Sequence, residues 1–286
     1  MVIDWLTGMN KALDYIEENL QDTIDPRRAA KLACCSFYHF TRMFGYVTGV
    51  PLAEYIRRRR LSAAALELAS SNVKVIELAQ RYGYDSPTAF NRAFKALHGL
   101  TPTGARLPGA SLKSFPRISF QLSIKGDVAM NYKIEDRGAF SIVGFKQWVS
   151  VEDGANVREI PKMWANLTPK KMQELCALME GEPMGILGVC ADMHDNGFDY
   201  YIAATSKQAA PAGMQGKDIP AATWAIFESI GPIPGAIQDV WKRIYSEWMP
   251  TSGYTHAGLP ELEVYPDGDN TSPTYRCEVW IPVTKA

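Results

Sequence analysis

The chain has no long apolar run. None of its segments approaches the roughly 18 consecutive apolar residues that a membrane-spanning helix needs, so no membrane partner is expected. Cysteine is scarce: five among 286 residues, two of them adjacent, which builds no disulfide framework and fits a reducing cytoplasm. Neither sign of charge dominates, the formal net charge being −1. The opening MVIDWLTGMNKALDYIEENL reads as an amphipathic helix and not as a secretory leader. No Ser/His/Asp or Cys/His arrangement stands at a nucleophile's spacing, and no cofactor signature stands out, so neither catalysis nor a cofactor is expected.

The near-neutral balance conceals a difference between the two parts. Residues 1–107 carry 14 Lys+Arg against 10 Asp+Glu, and residues 108–286 carry 16 against 21. A basic excess in the first part suits a phosphate-binding surface.

A short repeat says more than the charge. Ser36, Phe40, Arg42, Phe44 and Gly49 return fifty positions later as Ser86, Phe90, Arg92, Phe94 and Gly99. Serine at an N-cap, phenylalanines at helical spacing and a closing glycine describe a helix. A shorter helical stretch precedes each copy, Arg27–Ala33 and Val75–Tyr82. Helix, tight turn, helix, twice over, is the plan of a double helix-turn-helix. Between the copies, Leu52–Ser70 contains no Gly or Pro and follows Pro51. A helix of this length spans about 28 Å, near the ~34 Å between successive major-groove faces on one side of B-DNA. Arg57 to Arg60 lie on this rod. Such a run is either a solvated helix face or a phosphate contact, and beside two reading helices some of the four are expected to touch phosphate.

Residues 108–129, with Pro108, Gly109, Pro116 and Gly126, read as a linker, with a strand expected around Ile118–Ile124. Strand signals then dominate, at 140–149, 184–193, 198–205, 221–230, 261–266 and 275–283. Two helical stretches interrupt them, Ile160–Met179 with Trp164 and Ile233–Trp248 with Trp241. The expected fold class is therefore an all-α double helix-turn-helix domain over 1–107, then an α+β domain over 130–286 built of two repeated strand-helix-strand-strand units. A seam between two such units is a common place for a small-molecule site.

In YRCEVWIPV, strand alternation puts Tyr275, Cys277, Val279 and Ile281 under a helix, and Arg276, Glu278 and Trp280 on the other face. A carboxylate beside an aromatic ring can bind an organic cation. The alternative is that Glu278 pairs with Arg276 or a neighbouring strand. Glu261 and Glu263 also share a face, and there solvation is the expected state. Asp192, His194, Asp195 and Asp199 surround an Asp-Asn-Gly turn, so turn chemistry is favoured over a metal. Cys34, Cys35 and His39 make a poor zinc set, and inert thiols are expected.

On these residues the chain resembles two known families. AAKLACCSFYHFTRMFGYVTG and IELAQRYGYDSPTAFNRAFKALHGLTP resemble the AraC/XylS DNA-binding domain. IPAATWAIFESIGPIPGAIQDVWKRIYSEWMPTSGY with ELEVYP…YRCEVWIPV resembles the GyrI-like effector-binding domain, in the order found in Rob-like regulators. The resemblance implies promoter binding to double-stranded DNA, control of stress, efflux or detoxification genes, and a small-molecule effector that is apolar and often cationic. RNA polymerase is a further candidate partner. It places DNA contacts at Tyr38, His39, Thr41 and Arg42 of the first reading helix, and at Thr88, Asn91 and Arg92 of the second, where Pro87 offers no polar contact. Arginine suits guanine and asparagine suits adenine. It matches the effector-binding glutamate to Glu278, with Trp280, Tyr201 and Trp164 as the expected aromatic lining. Cys34-Cys35 stands where the family has Gly-Tyr, so Cys34 must adopt a turn that glycine makes easy. Two lesser alternatives are that the second domain is a protein-interaction module, or a hydrolase of reactive electrophiles with Glu278 as base.

Overall fold

The computed structural model of the chain describes residues 2–120, 129–151, 154–194 and 196–285. These described residues divide into two compact units: a helical one from Ile3–Thr41 and from Val50 onward to residue 120, and a second from Arg42–Gly49 and the described residues from 129 to 285, which holds the sheet.

The helices of the first part are α1 (Val2–Glu18), α2 (Pro26–Leu32), α3 (Phe37–Thr48), α4 (Leu52–Ser70), α5 (Val75–Arg81) and α6 (Pro87–His98). Their ends carry the chemistry that the repeat announced. Ser36 Oγ accepts from His39 N at 3.2 Å, and Ser86 Oγ accepts from Ala89 N at 3.1 Å. Gly49 and Gly99, at φ 70° and 82°, close α3 and α6 in the left-handed region, where a side chain is strained. Cys34 does take the glycine-like turn, at φ 56°. Ser86→Ala is expected to cost about 1 kcal/mol, lowering the midpoint of helical melting by roughly 4–8 °C. A circular-dichroism melt showing no shift would mean that the cap contributes nothing there.

Leu61, Ala64 and Leu68 of α4 pack with Leu78 and Tyr82 around α5, and with Phe90, Phe94 and Leu97 of α6. The four arginines of α4 have intramolecular partners. Arg57 and Arg58 both pair with Glu54. Arg59 pairs with Glu17 at 2.7 Å and donates to Phe115 O, while Arg60 donates to Asp22 O. Burial works against ionised Glu17, but hydrogen bonds from Arg59 and Tyr55 outweigh it and hold the carboxyl below its usual range. Arg59 thus ties α4 to α1 and to a strap, Arg60 ties it to the turn after α1, and Arg57 and Arg58 are paired within α4 itself.

The strap is the stretch after α6. After a 3-10 turn at Gly104–Arg106 it runs along the helical unit without helix or strand: Phe115 N donates to Ser62 Oγ, Ile118 N to Tyr55 Oη, and Phe120 N to Asn10 Oδ1. Side chains that satisfy single backbone groups replace a strand partner here, so Ile118–Phe120 form no strand. The rest of the expected strand, 121–124, lies outside the described residues.

The sheet contains β1 (Tyr132–Arg137), β2 (Phe140–Ser150), β3 (Ile186–His194), β4 (Gly197–Thr205), β5 (Gln215–Ile219), β6 (Ala222–Ile230), β7 (Tyr254–His256), β8 (Glu261–Tyr265) and β9 (Arg276–Lys285). Its order is β1-β6-β9-β8-β3-β4-β2-β5, with β7 paired to β9. Strands β3 and β8 are central. Helices α7 (Ala155–Ala165) and α8 (Pro169–Leu178) precede β3, and α9 (Gly235–Arg243) follows β6. The single helix expected over 160–179 is two, because Thr168 caps a new start with Pro169 in its first turn. The one expected over 233–248 is α9 continued by a π-turn at Ile244–Trp248.

Alternation along the central strands sorts two faces. One carries Leu187, Val189, Tyr201, Trp224, Ile226, Leu262, Val264 and Trp280, a fully apolar cluster. The other carries Gly188, Cys190, Tyr200, Glu261, Glu263 and Val279, and faces α7 and α9. No helix among the described residues is long and apolar enough to cross a membrane.

Candidate functional site

The helix-facing side of β3 and β8 holds an acid-and-aromatic constellation. Glu263 sits mid-strand on β8, opposite Gly188 of β3 and Val279 of β9. Trp241 Nε1 of α9 donates to its Oε1 at 2.7 Å, and Tyr265 Oη donates to its Oε2 at 2.9 Å. Trp164 Nε1 of α7 donates to Tyr200 Oη at 2.8 Å, and the Trp164 ring meets Tyr265 edge-on at 5.2 Å. The two tryptophans that the sequence placed at matching depth in two helices thus converge on one carboxylate and its tyrosines.

Gly188 makes room between them. A Cβ there would lie 2.6 Å from Tyr200 Oη, 3.1 Å from Glu263 Oε2 and 3.5 Å from Trp164 Cζ2.

Burial raises the Glu263 carboxyl above its ordinary value. The Arg42 charge and the hydrogen bonds from Trp241 and Tyr265 pull it back down, and the charge of Glu261 pushes it further up. Tyr200 and Tyr265 are raised well above the usual phenol by burial, so both remain neutral donors. A desolvated carboxylate among neutral aromatic donors favours a positively charged, apolar guest. Glu261, two residues earlier on the same face, is 1% exposed. It accepts from Tyr245 Oη at 3.0 Å and lies 3.1 Å from His256 Nε2. The solvated state expected for Glu261 and Glu263 is therefore overturned: the face they share is the one that the helices cover.

The four residues singled out for the effector are not together. Trp164 belongs to the constellation. Tyr201 and Trp280 lie in the apolar cluster of the opposite face. Glu278 stands opposite Val264 on that same face, half-buried, and accepts from Trp280 Nε1 at 2.7 Å. The cation over Trp280 is the chain's own Arg137, 5.3 Å from its ring centroid. Arg276 pairs with Glu228 across β6, not with Glu278. Alternation alone sorted the faces of β9 correctly. It gave no means of knowing that the tryptophan-bearing helices cover the face with Glu263. The signal that could have found Glu263 was its place in ELEVYP together with the twin tryptophans.

Asp192 and Asp199, weighed as turn or metal residues, are each tied to a lysine, Lys217 and Lys146. Asp195 lies outside the described residues.

The two reading helices differ. On α6, Thr88, Asn91 and Arg92 are exposed and form one stripe, which Lys95 extends. Pro87 is exposed at its head. On α3, Tyr38 is 2% exposed and Arg42 is 8% exposed. His39 is half-buried, with Nδ1 at 2.8 Å from Ser36 Oγ, and the Thr41 hydroxyl donates to Phe37 O at 2.8 Å. Identical spacing therefore yields one open stripe and one covered stripe.

Residues 130–284 match the model of the GyrI-like small molecule binding domain, and residues 29–107 match that of a helix-turn-helix domain. The HTH-type transcriptional activator AarP of Providencia stuartii is 38% identical over 99 residues, which are 35% of this chain and 73% of that protein. The multiple antibiotic resistance protein MarA of Escherichia coli is 33% identical over 99 residues, 35% of this chain and 78% of that protein. Among solved structures, SAV2435 bound to tetraphenylphosphonium is 26% identical, with a TM-score of 0.50, over 54% of this chain and 94% of that one.

Proposed function

The chain belongs to the GyrI-like family, with an AraC-type helix-turn-helix domain in the same polypeptide, and is a transcription regulator of that type; we propose that its effector is a lipophilic organic cation held against Glu263. The observation that carries this reading is the environment of Glu263: a carboxyl raised by burial, fixed by Trp241 and Tyr265, with Trp164 and Tyr200 beside it. Tetraphenylphosphonium, the molecule bound in the SAV2435 structure, has this chemistry and is the first probe to titrate calorimetrically into the full chain. Heat of binding at a single site supports the reading. No binding at millimolar probe refutes it. The mirrored strand order on either side of β3 and β8, each half with its own tryptophan-bearing helix, supports reading the sheet as two related units around this seam.

On DNA, α6 is the reading helix, through Thr88, Asn91 and Arg92, with Lys95 as a phosphate or base contact at the end of the same stripe. Similarity to AarP, an HTH-type transcriptional activator, favours promoter DNA as partner over the hydrolytic alternative. Arg92→Ala is expected to weaken binding to a selected site by roughly 1–3 kcal/mol, and random duplex much less. Arg58→Ala is expected to change neither by more than a small factor, since Arg58 pairs with Glu54 and lies over Phe115. Competition binding with both variants checks this, and an equal loss for Arg92→Ala on specific and random DNA would overturn base reading.

A further inference from the structure

The compact unit that contains the sheet also contains Arg42–Gly49, the second half of α3. Arg42 is buried, and its Nη1 lies 2.6 Å from Glu261 Oε2 and 2.9 Å from Cys190 Sγ. Its guanidinium stands 4.4 Å from the centroid of Trp241, the tryptophan that also donates to Glu263. One turn along the helix, the Tyr46 ring stacks on Trp241 at 5.5 Å with 9° between planes, and on Tyr245 at 6.1 Å. A delocalised charge on an indole face with a flat ring beside it is what a lipophilic aromatic cation would offer to Trp241 and Glu261. Arg42 and Tyr46 of α3 supply both features.

Arg42 has a second claim on it. It is the repeat partner of Arg92, which is exposed on the open stripe of α6. One guanidinium cannot pair with Glu261 and reach a base edge at the same time. Departure of Arg42 would remove the guanidinium partner of buried Glu261, leaving it Tyr245 and His256, and an organic cation could take the place that Arg42 gives up. We infer that Arg42 and Tyr46 form an internal ligand of the effector site, so that an organic cation and α3 compete for contact with Trp241 and Glu261, and cation binding releases the first reading helix for DNA. This rests on the proposed effector site and adds its regulation: the site is self-occupied in the resting state, and the effector activates DNA binding.

Linkage makes the idea measurable, because a cation that raises DNA affinity by some factor must be bound more tightly by the DNA complex by that same factor. The experiment uses the full chain, a selected DNA duplex and tetraphenylphosphonium. Saturating cation is expected to raise DNA affinity about tenfold, within the usual range of such couplings. Tyr46→Ala removes half of the internal ligand without touching a base-reading position. It should raise cation affinity and cation-free DNA affinity together, each severalfold, and shrink the cation's effect on DNA. Glu261→Gln, which removes the counter-ion of Arg42, should likewise raise cation-free DNA affinity, and it serves as the second variant if Tyr46→Ala folds poorly. A cation that binds without changing DNA affinity overturns this inference and leaves the effector site standing. A cation that binds neither the wild-type chain nor Tyr46→Ala overturns both. Variants that bind DNA more weakly than wild type would mean that the contact orders α3 for reading instead of withholding it.

Discussion

Glu263→Gln is expected to lower affinity for tetraphenylphosphonium by roughly thirty- to a hundredfold, the equivalent of about 2–3 kcal/mol. The amide keeps the side chain's shape and can still accept from Trp241, so the loss isolates the charge. A cation over aromatic faces gains on the order of 2 kcal/mol when desolvated, and the charge-assisted contact to a carboxylate adds to it. The native carboxyl is raised by burial, which fixes the sign of the pH dependence. A group protonated more readily in the folded than in the unfolded state contributes most at low pH. Its contribution is lost as pH rises from the ordinary carboxylate range through the raised value. A bound cation offsets that loss, so the thermal stabilisation it gives should be larger at pH 8 than at pH 5. In Glu263→Gln this pH difference should vanish. Calorimetric titration and melting curves of both proteins at the two pH values decide it, and equal cation affinities would move the charge-selecting residue elsewhere.

Phe94→Ala is expected to destabilise the helical unit by about 3–5 kcal/mol. Phe94 is 0% exposed, packs on Phe90 at 5.6 Å and on His98 at 4.3 Å between ring centroids, and belongs to the cluster that joins α4, α5 and α6. Typical domains have only about 5–15 kcal/mol in total, so the loss removes a large part of the unit's stability. DNA binding should fall with it at growth temperature, whereas the sheet unit should still bind tetraphenylphosphonium. Urea unfolding followed by helical circular dichroism measures the first effect, and calorimetry the second. A loss under 1 kcal/mol would mean that the α6 core tolerates the cavity by collapsing into it.

Local rules made the helical unit legible. Ser36 and Ser86 as caps, Gly49 and Gly99 in the left-handed region, and α4 over Leu52–Ser70 all follow from capping chemistry and the 3.6-residue period, which act within a turn or two of the chain. The same local rules gave the main strands and the sorting of the two faces of β9. They failed wherever a partner distant in sequence decides. The partners of Arg59 were not legible, because nothing nearby in the sequence reveals Glu17 or the Phe115 carbonyl. Glu278 looked like the effector's counter-ion because an acid beside a tryptophan is a local pattern. Which face of a sheet meets a helix is fixed by packing across β3, β8 and β9, and that packing puts Glu263, not Glu278, beside the tryptophan-bearing helices. Arg42 and Arg92 show the division most sharply. Their sequence surroundings are near copies, so the sequence determines that both lie on capped helices at the same register. Only tertiary structure decides that Arg92 faces outward while Arg42 is paired with Glu261, because a buried charge goes where a counter-ion and an aromatic face together offset its desolvation.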